Sequence, residues 1–302
     1  MNLLCRFAHR FPLLVAEILD RDRHKTRNFR EETITDILMA GLVPFEPFEI
    51  STNYPVDESL TGEDMDWEFV NEHAVDGRKY LRLHIQAKRA KKIATKKSHY
   101  WLYESLDHAL SYKVGQNEFG PPSPKFYGAQ HKFLIDEAST IRGCVPLYMF
   151  YHPLSALAGA SGVIPAVEGV NWIFAEIIPQ NVGKKCWPRT SKRLDKWRQY
   201  FHPLSELLCF GRGADLIAMS GPDDGATLYF LGPQSSLATP SEVANRLNLL
   251  RQSDEETVGK HDLQPIEAVE DIPQETLAMI RATQAGRRKA EIKRPRVIFV
   301  SS

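Results

Sequence analysis

The run Glu63-Asp64-Met65-Asp66-Trp67-Glu68-Phe69-Val70, followed by Tyr80-Leu81-Arg82-Leu83-His84-Ile85-Gln86-Ala87-Lys88-Arg89, decides the fold. Residues 65–70 read as a short strand, and the Asp76-Gly77 pair between the runs is a hairpin turn signal. Side chains alternate along a strand, so Leu81, Leu83, Ile85 and Ala87 share one face. Arg82, His84, Gln86 and Lys88 share the other, and that face reads either as chemistry or as the solvent side of an edge strand.

Working outward, helical spacing recurs upstream through Leu13, Leu14 and Ile18, then through Ile34, Ile37 and Leu38. Two helices fit, joined by a polar connection near residues 20–28, with Gly41 and Pro44 stopping the second. Residues 45–52 alternate loosely and read as a strand, and 57–64 as an acidic loop. Downstream, 101–112 and 127–139 have helical character, 117–123 is turn-rich, and 145–151 (VPLYMFY) is a strand buried on both faces. The order helix, strand, strand, strand, helix, strand is an α/β unit with a mixed sheet. Beyond Pro153 the signal weakens: 171–178 reads as a strand, and a basic stretch leads to an amphipathic helix ending near Cys209. Residues 229–231 and 296–300 read as strands and 252–274 as a mobile arm. The expected division is a core over 1–153 and an extension over 154–302.

Of the 302 residues 43% are hydrophobic and 25% charged, which is globular composition and excludes disordered and collagen-like classes. No apolar run approaches the roughly 18 residues of a membrane helix, so no membrane partner is expected. The opening residues, interrupted by Arg6 and Arg10, read as an amphipathic helix rather than a secretory signal. Cys5, Cys144, Cys186 and Cys209 are far apart, which suits reduced thiols in a cytoplasmic protein. Charge is balanced at 38 against 38 but segregated. Residues 31–77 hold 13 acids and no Lys or Arg; residues 78–97 hold nine bases and no acid. Two further basic stretches follow, Lys184 to Arg198, interleaved with Trp187, Trp197 and Tyr200, and Arg281 to Arg296. Such blocks are commonly solvated faces, but an acidic cluster beside a basic strip also suits a divalent cation beside a polyanion.

Asp66 lies on one strand of the hairpin, and Gln86 and Lys88, two apart, emerge together on the next. A carboxylate and a carbonyl oxygen can hold Mg²⁺ or Mn²⁺, while an ammonium stabilises charge building on a phosphate. Asp64 has the parity of Asp66 and is an alternative ligand; Glu31 or Glu32, opening the second helix, could complete the shell. Arg89, Lys91, Lys92, Lys96 and Lys97 would hold a phosphate backbone. No GxxxxGK[ST], GxGxxG, GxSxG or HExxH pattern is present, so nucleotide hydrolysis, dinucleotide redox, esterase and zincin chemistry lack support. His108, His152 and His202 are scattered and read as structural.

Asp66 followed by Gln86-Ala87-Lys88-Arg89 resembles the Asp…(Asp/Glu)-x-Lys core of the PD-(D/E)XK nuclease superfamily, in the Mrr-like branch where glutamine replaces the second carboxylate. Glu31-Glu32 resembles that branch's upstream glutamate. The chain also resembles a bacterial family of unknown function with a nuclease-like core, through Tyr127, Gln130 and Pro146-Leu147-Tyr148. No proline precedes Asp66, a departure common in divergent members. The resemblance covers about residues 28–152 and implies a restriction-endonuclease-like mixed sheet flanked by helices, with further α/β elements in the C-terminal half. It implies a Mg²⁺-dependent endonuclease of DNA serving defence against foreign DNA, with Asp66, Gln86, Lys88 and one of Glu31 and Glu32 catalytic; Gln130 reads as a structural side chain or a substrate contact rather than a catalyst. Such enzymes often cut as homodimers, and an activator or partner protein is a further expectation. The alternative is a module that binds nucleic acid or a partner without cutting.

Overall fold

The hairpin of alternating charged and apolar residues becomes the middle of a seven-stranded mixed sheet in the computed structural model of the chain. The structure describes residues 3–21, 29–54, 64–96, 98–111, 125–157, 165–179, 181–210, 237–258, 263–286, 292 and 294–301. The strands are β1 (Ile50–Asn53), β2 (Asp64–Val70), β3 (Tyr80–Arg89), β4 (Lys91–Ala94), β5 (His99–Leu102), β6 (Leu110–Ser111), β7 (Lys125–Phe126), β8 (Cys144–Tyr151), β9 (Val170–Phe174), β10 (His202–Pro203) and β11 (Arg296–Val300). The helices are α1 (Leu3–Arg21), α2 (Glu31–Leu42), α3 (Ala129–Thr140), α4 (Leu154–Leu157), α5 (Leu194–Trp197), α6 (Ser205–Leu208), α7 (Pro240–Val258) and α8 (Gln274–Gln284).

The sheet order is β1-β11-β2-β3-β8-β9-β10. β11 runs parallel to β2 and β3 parallel to β8; the other neighbours are antiparallel. This is the expected α/β class. The C-terminal half shares this sheet: β9, β10 and β11 come from it, and β11 is inserted between β1 and β2.

β3 is central and buried on both faces, which corrects the edge-strand alternative. Its apolar face meets α2, whose Ile34 and Leu38 are buried in the same core as Leu81, Leu83, Ile85 and Ala87. The Thr35 and Tyr151 hydroxyls, 3.1 Å apart, tie α2 to β8 on that side. The charged face is covered by α3, whose His131 Nδ1 lies 3.2 Å from the Tyr148 hydroxyl, and by α8, whose Thr276 donates to Glu68 at 2.7 Å. α1 buries the stripe Leu4, Ala8, Phe11, Val15 and Leu19. A Cβ at Gly169 would come 1.7 Å from the Pro12 carbonyl oxygen, so only glycine lets the chain entering β9 lie directly on α1.

Several expectations need correction. Residues 99–102 form β5, paired with β4 in an exposed hairpin, and 104–107 are a single 3₁₀ turn. Cross-strand pairing of Tyr100 with Ile93 and Trp101 with Lys92 wins over helical spacing. Pro44 and Pro47 shorten the strand expected over 45–52 to β1 behind a 3₁₀ turn. The expected arm is largely held: 252–258 ends α7, and the Val269 backbone exchanges hydrogen bonds with Tyr80. The strand expected at 229–231 lies outside the described residues. Cys5 and Cys209 are joined in a disulfide across 204 residues of sequence, against the expectation of reduced thiols.

Candidate functional site

The β2–β3 register pairs Asp64 with Gln86, Asp66 with His84 and Glu68 with Arg82. With Lys88, these positions share the face under α3 and α8. β11 sets Arg296 beside Asp66, and β8 sets Tyr148 beside Gln86 and Phe150 beside Lys88. The register divides the face into two parts of different character.

The first part is a closed charge network. His84 Nδ1 donates to Asp66 Oδ1 at 2.6 Å, and Arg296 and Arg82 approach Oδ2 at 3.7 and 4.0 Å. Arg82 also reaches Glu68 at 2.8 Å and donates to the Tyr80 hydroxyl at 2.7 Å, while Arg296 bridges Glu68 and Glu275. On the other side of the ring, His84 Nε2 lies 3.4 Å from the Arg294 guanidinium and 3.7 Å from Glu137 of α3. Burial alone would push the Asp66 carboxyl up, but the His84 hydrogen bond and the charges of His84, Arg82 and Arg296 outweigh it and hold it below its usual value. Asp66 is therefore the hub of a structural network rather than an open ligand. Sequence reasoning named Arg82 and His84 only as companions and missed Glu68, Glu137 and Arg296; the complementary runs D-x-D-x-E and R-x-H-x-Q-x-K were the available signal.

The second part holds Gln86 and Lys88, with position 64 opposite Gln86 in the register. Gln86 is 1% exposed, and neither its Oε1 nor its Nε2 has a hydrogen-bond partner among the described residues. Lys88 is fully buried, and its ammonium donates to Gln130 Oε1 at 3.3 Å. Gln130, read as a structural side chain or a substrate contact, sits where it orients Lys88. Behind it, His131 Nε2 lies 3.0 Å from the Ile178 carbonyl oxygen, which fixes the ring against Tyr148. A buried amide with four unmet hydrogen-bonding valences costs about 1–3 kcal/mol, and here it lies beside a buried ammonium.

Glu31 and Glu32 lie elsewhere. Glu31 Oε1 accepts from the Arg89 backbone N–H at 3.0 Å and from Ser105 at 2.8 Å, at the C-terminal end of β3. Both acids line an open cleft of about 490 Å³ with Arg30, Arg89, Lys91 and His108. Asp66, Glu31 and Glu32 are not among the groups of His, Cys, Asp and Glu close enough to share a cation among the described residues. The physical reason is that α2 packs on the apolar face, opposite Asp66.

The basic residues divide similarly. The Arg89 guanidinium donates to the Phe29 carbonyl, and Lys91 pairs with Glu104 at 2.6 Å. Lys92 and Lys96 are exposed on the β4–β5 hairpin, which leaves β3 directly after Lys88; Lys97 lies outside the described residues. The hairpin is joined to the second basic stretch by the Leu102–Arg193 bridge and by Arg193 stacked 4.9 Å over Tyr100. Lys184, Lys185, Arg189 and Lys196 are exposed there, whereas Lys192 is buried on Asp107 at 2.8 Å. Trp187, Trp197 and Tyr200 are buried anchors rather than stacking platforms. In the third stretch, Arg294 and Arg296 belong to the charge network.

Of the three histidines that read as structural, His152 and His202 are held inside the fold, His202 by Asp254 at 2.9 Å, whereas His108 is exposed and lines the Glu31 cleft. Burial lowers the His152 pKa to about 4; its Nδ1 donates to the Glu168 carbonyl at 2.7 Å and its Nε2 accepts from Tyr103 at 2.6 Å. Burial likewise pushes the Cys144 thiol up to about 12. No helix among the described residues is long and apolar enough to cross a membrane.

Comparison with curated proteins and with solved structures finds no significant match. A family profile does match, over residues 4–302, taking in the hairpin, the charge network and β11 together: the chain belongs to DUF6615, a family of unknown function.

Proposed function

We propose that the protein is a Mg²⁺- or Mn²⁺-dependent endonuclease that hydrolyses phosphodiester bonds of DNA in the cytoplasm, in defence against foreign DNA. The observation that carries this reading is Gln86: a buried amide, opposite Asp64 and two residues from a buried lysine, with no protein partner among the described residues. Asp64 and the Gln86 carbonyl would hold the cation, in the carboxylate-plus-carbonyl set that suits Mg²⁺. When bound, the ion would supply Lewis-acid polarisation of a phosphoryl oxygen. Lys88, oriented by Gln130, stabilises the charge that develops on the phosphate as water attacks phosphorus. Asp64 replaces Asp66 as the carboxylate of the pair because Asp66 is consumed by His84 and two arginines. The exposed bases of the hairpin and of residues 184–196 lie beyond the C-terminal end of β3 and would hold the backbone.

Gln86→Leu tests the assignment. Removing an unsatisfied amide should raise stability by about 1–3 kcal/mol while abolishing metal-dependent cleavage. A thermal midpoint that falls, or cleavage that persists, would remove Gln86 from the site.

Binding is tested separately. Lys92→Gln and Lys96→Gln should weaken affinity for unrelated duplexes alike and reduce the salt slope by about 0.9 per lost phosphate contact. An unchanged slope in filter binding would place the DNA elsewhere. Binding without cleavage by wild type under every metal condition would favour a non-cutting module.

A further inference from the structure

Among the described residues one group of three His, Cys, Asp or Glu side chains brings all its ligand atoms within 4.8 Å of one another: Cys5, His9 and Cys209. It lies outside the candidate nuclease site. Cys5 and His9 are four apart on α1 and so share one helix face; Cys209 follows α6, which packs on α1. Cys5 and Cys209 are partly exposed and His9 is exposed, so ions and small reductants reach the group.

The structure holds the two sulfurs bonded. A disulfide is uncommon in the reducing compartment assigned above, where the pair would instead be two thiols beside an imidazole. We propose that the reduced protein carries a zinc site made of the Cys5 and Cys209 thiolates and the His9 imidazole, exchanged for the disulfide on oxidation. Two thiolates and an imidazole are a ligand set that selects zinc over magnesium or calcium. A tetrahedral zinc with Zn–S near 2.3 Å sets its sulfurs about 3.8 Å apart, within reach of rotation about the two Cα–Cβ bonds. The fourth position falls to water. In the exchange, a dithiol reductant gives two electrons and two protons to the Cys5–Cys209 bond and leaves as its own disulfide. Zn²⁺ then displaces the two thiol protons to solvent. Either state clamps α1 to the end of α6, so the first helix stays docked whether the protein is oxidised or reduced.

The test uses the full chain, reduced, stripped of metal and kept free of oxygen, titrated with Co²⁺ and then Zn²⁺. One equivalent of Co²⁺ should bind, with thiolate-to-cobalt charge transfer and tetrahedral d–d bands that Zn²⁺ abolishes. Cys5→Ser and Cys209→Ser should lose the sulfur band, His9→Ala should weaken zinc more than about tenfold, and Cys186→Ser should change nothing. Wild type alone supplies a second measurement if a cysteine variant fails to fold. Zinc should shield two of the four thiols from an aromatic disulfide, and oxidation should release the metal to a chromophoric chelator. A reduced wild type that takes up no Co²⁺ with sulfur bands overturns the proposal. So do bands that survive in folded Cys5→Ser, or zinc that stays bound after the disulfide forms.

Discussion

Asp66→Asn should cost about 3–5 kcal/mol of folding stability at neutral pH, the range for removing one charge from a buried, hydrogen-bonded pair. The change leaves Arg82, Arg296 and His84 without the carboxylate that all three face. Because the Asp66 pKa is lowered in the folded protein, its contribution is fully present above its unfolded value near 4 and is lost as pH falls through the lowered folded value. Wild type should therefore lose stability on that acid limb, and Asp66→Asn should show a shallower one. Denaturant unfolding at a series of pH values measures both. A loss below about 1 kcal/mol would mean that Asp66 is not the network's hub, and would return it to candidacy as a metal ligand.

Lys88→Met should act in the opposite sense, on rate more than on fold. Methionine keeps much of the volume of the lysine stem, and the donor lost to Gln130 Oε1 costs about 1–3 kcal/mol, which a thermal midpoint reads separately from the rate. The ammonium, though, is the one cation the structure places on the Gln86 side of the face among the described residues. Its removal should lower the cleavage rate constant by about 10²–10³-fold, the scale of losing one preorganised stabiliser of transition-state charge. Single-turnover cleavage at saturating protein gives the number free of binding effects. An unchanged rate would leave Lys88 a structural lysine, satisfied by Gln130.

The contrast between these substitutions shows where sequence reasoning succeeds and where it stops. Alternation alone put Asp64 with Asp66 on one face of β2 and Gln86 with Lys88 on one face of β3, because parity along a strand needs no knowledge of its partner. Choosing between Asp64 and Asp66 required the hairpin register, which the connection over residues 71–79 sets and local patterning does not encode. The helices α1, α2 and α3 and the buried strand β8 were legible from spacing, being long or strongly apolar. β11 was legible as a strand but not as a neighbour of β2, since that pairing joins positions more than 200 residues apart. The Cys5–Cys209 contact was hidden for the same reason, and the thiols looked isolated only because sequence distance is not spatial distance. Trp101 and Leu102 misled because a large apolar pair serves a short hairpin as well as a helix.

On the proposed function, the charged face divides into a stabilising part around Asp66 and a reactive part around Gln86. The most direct measurement is cleavage of supercoiled plasmid and single-stranded DNA by purified wild type with Mg²⁺, Mn²⁺ or EDTA, with Lys88→Met as the folded control. Nicking that requires metal and vanishes in Lys88→Met is the predicted result. Cleavage that survives EDTA, or that Lys88→Met retains in full, would contradict it.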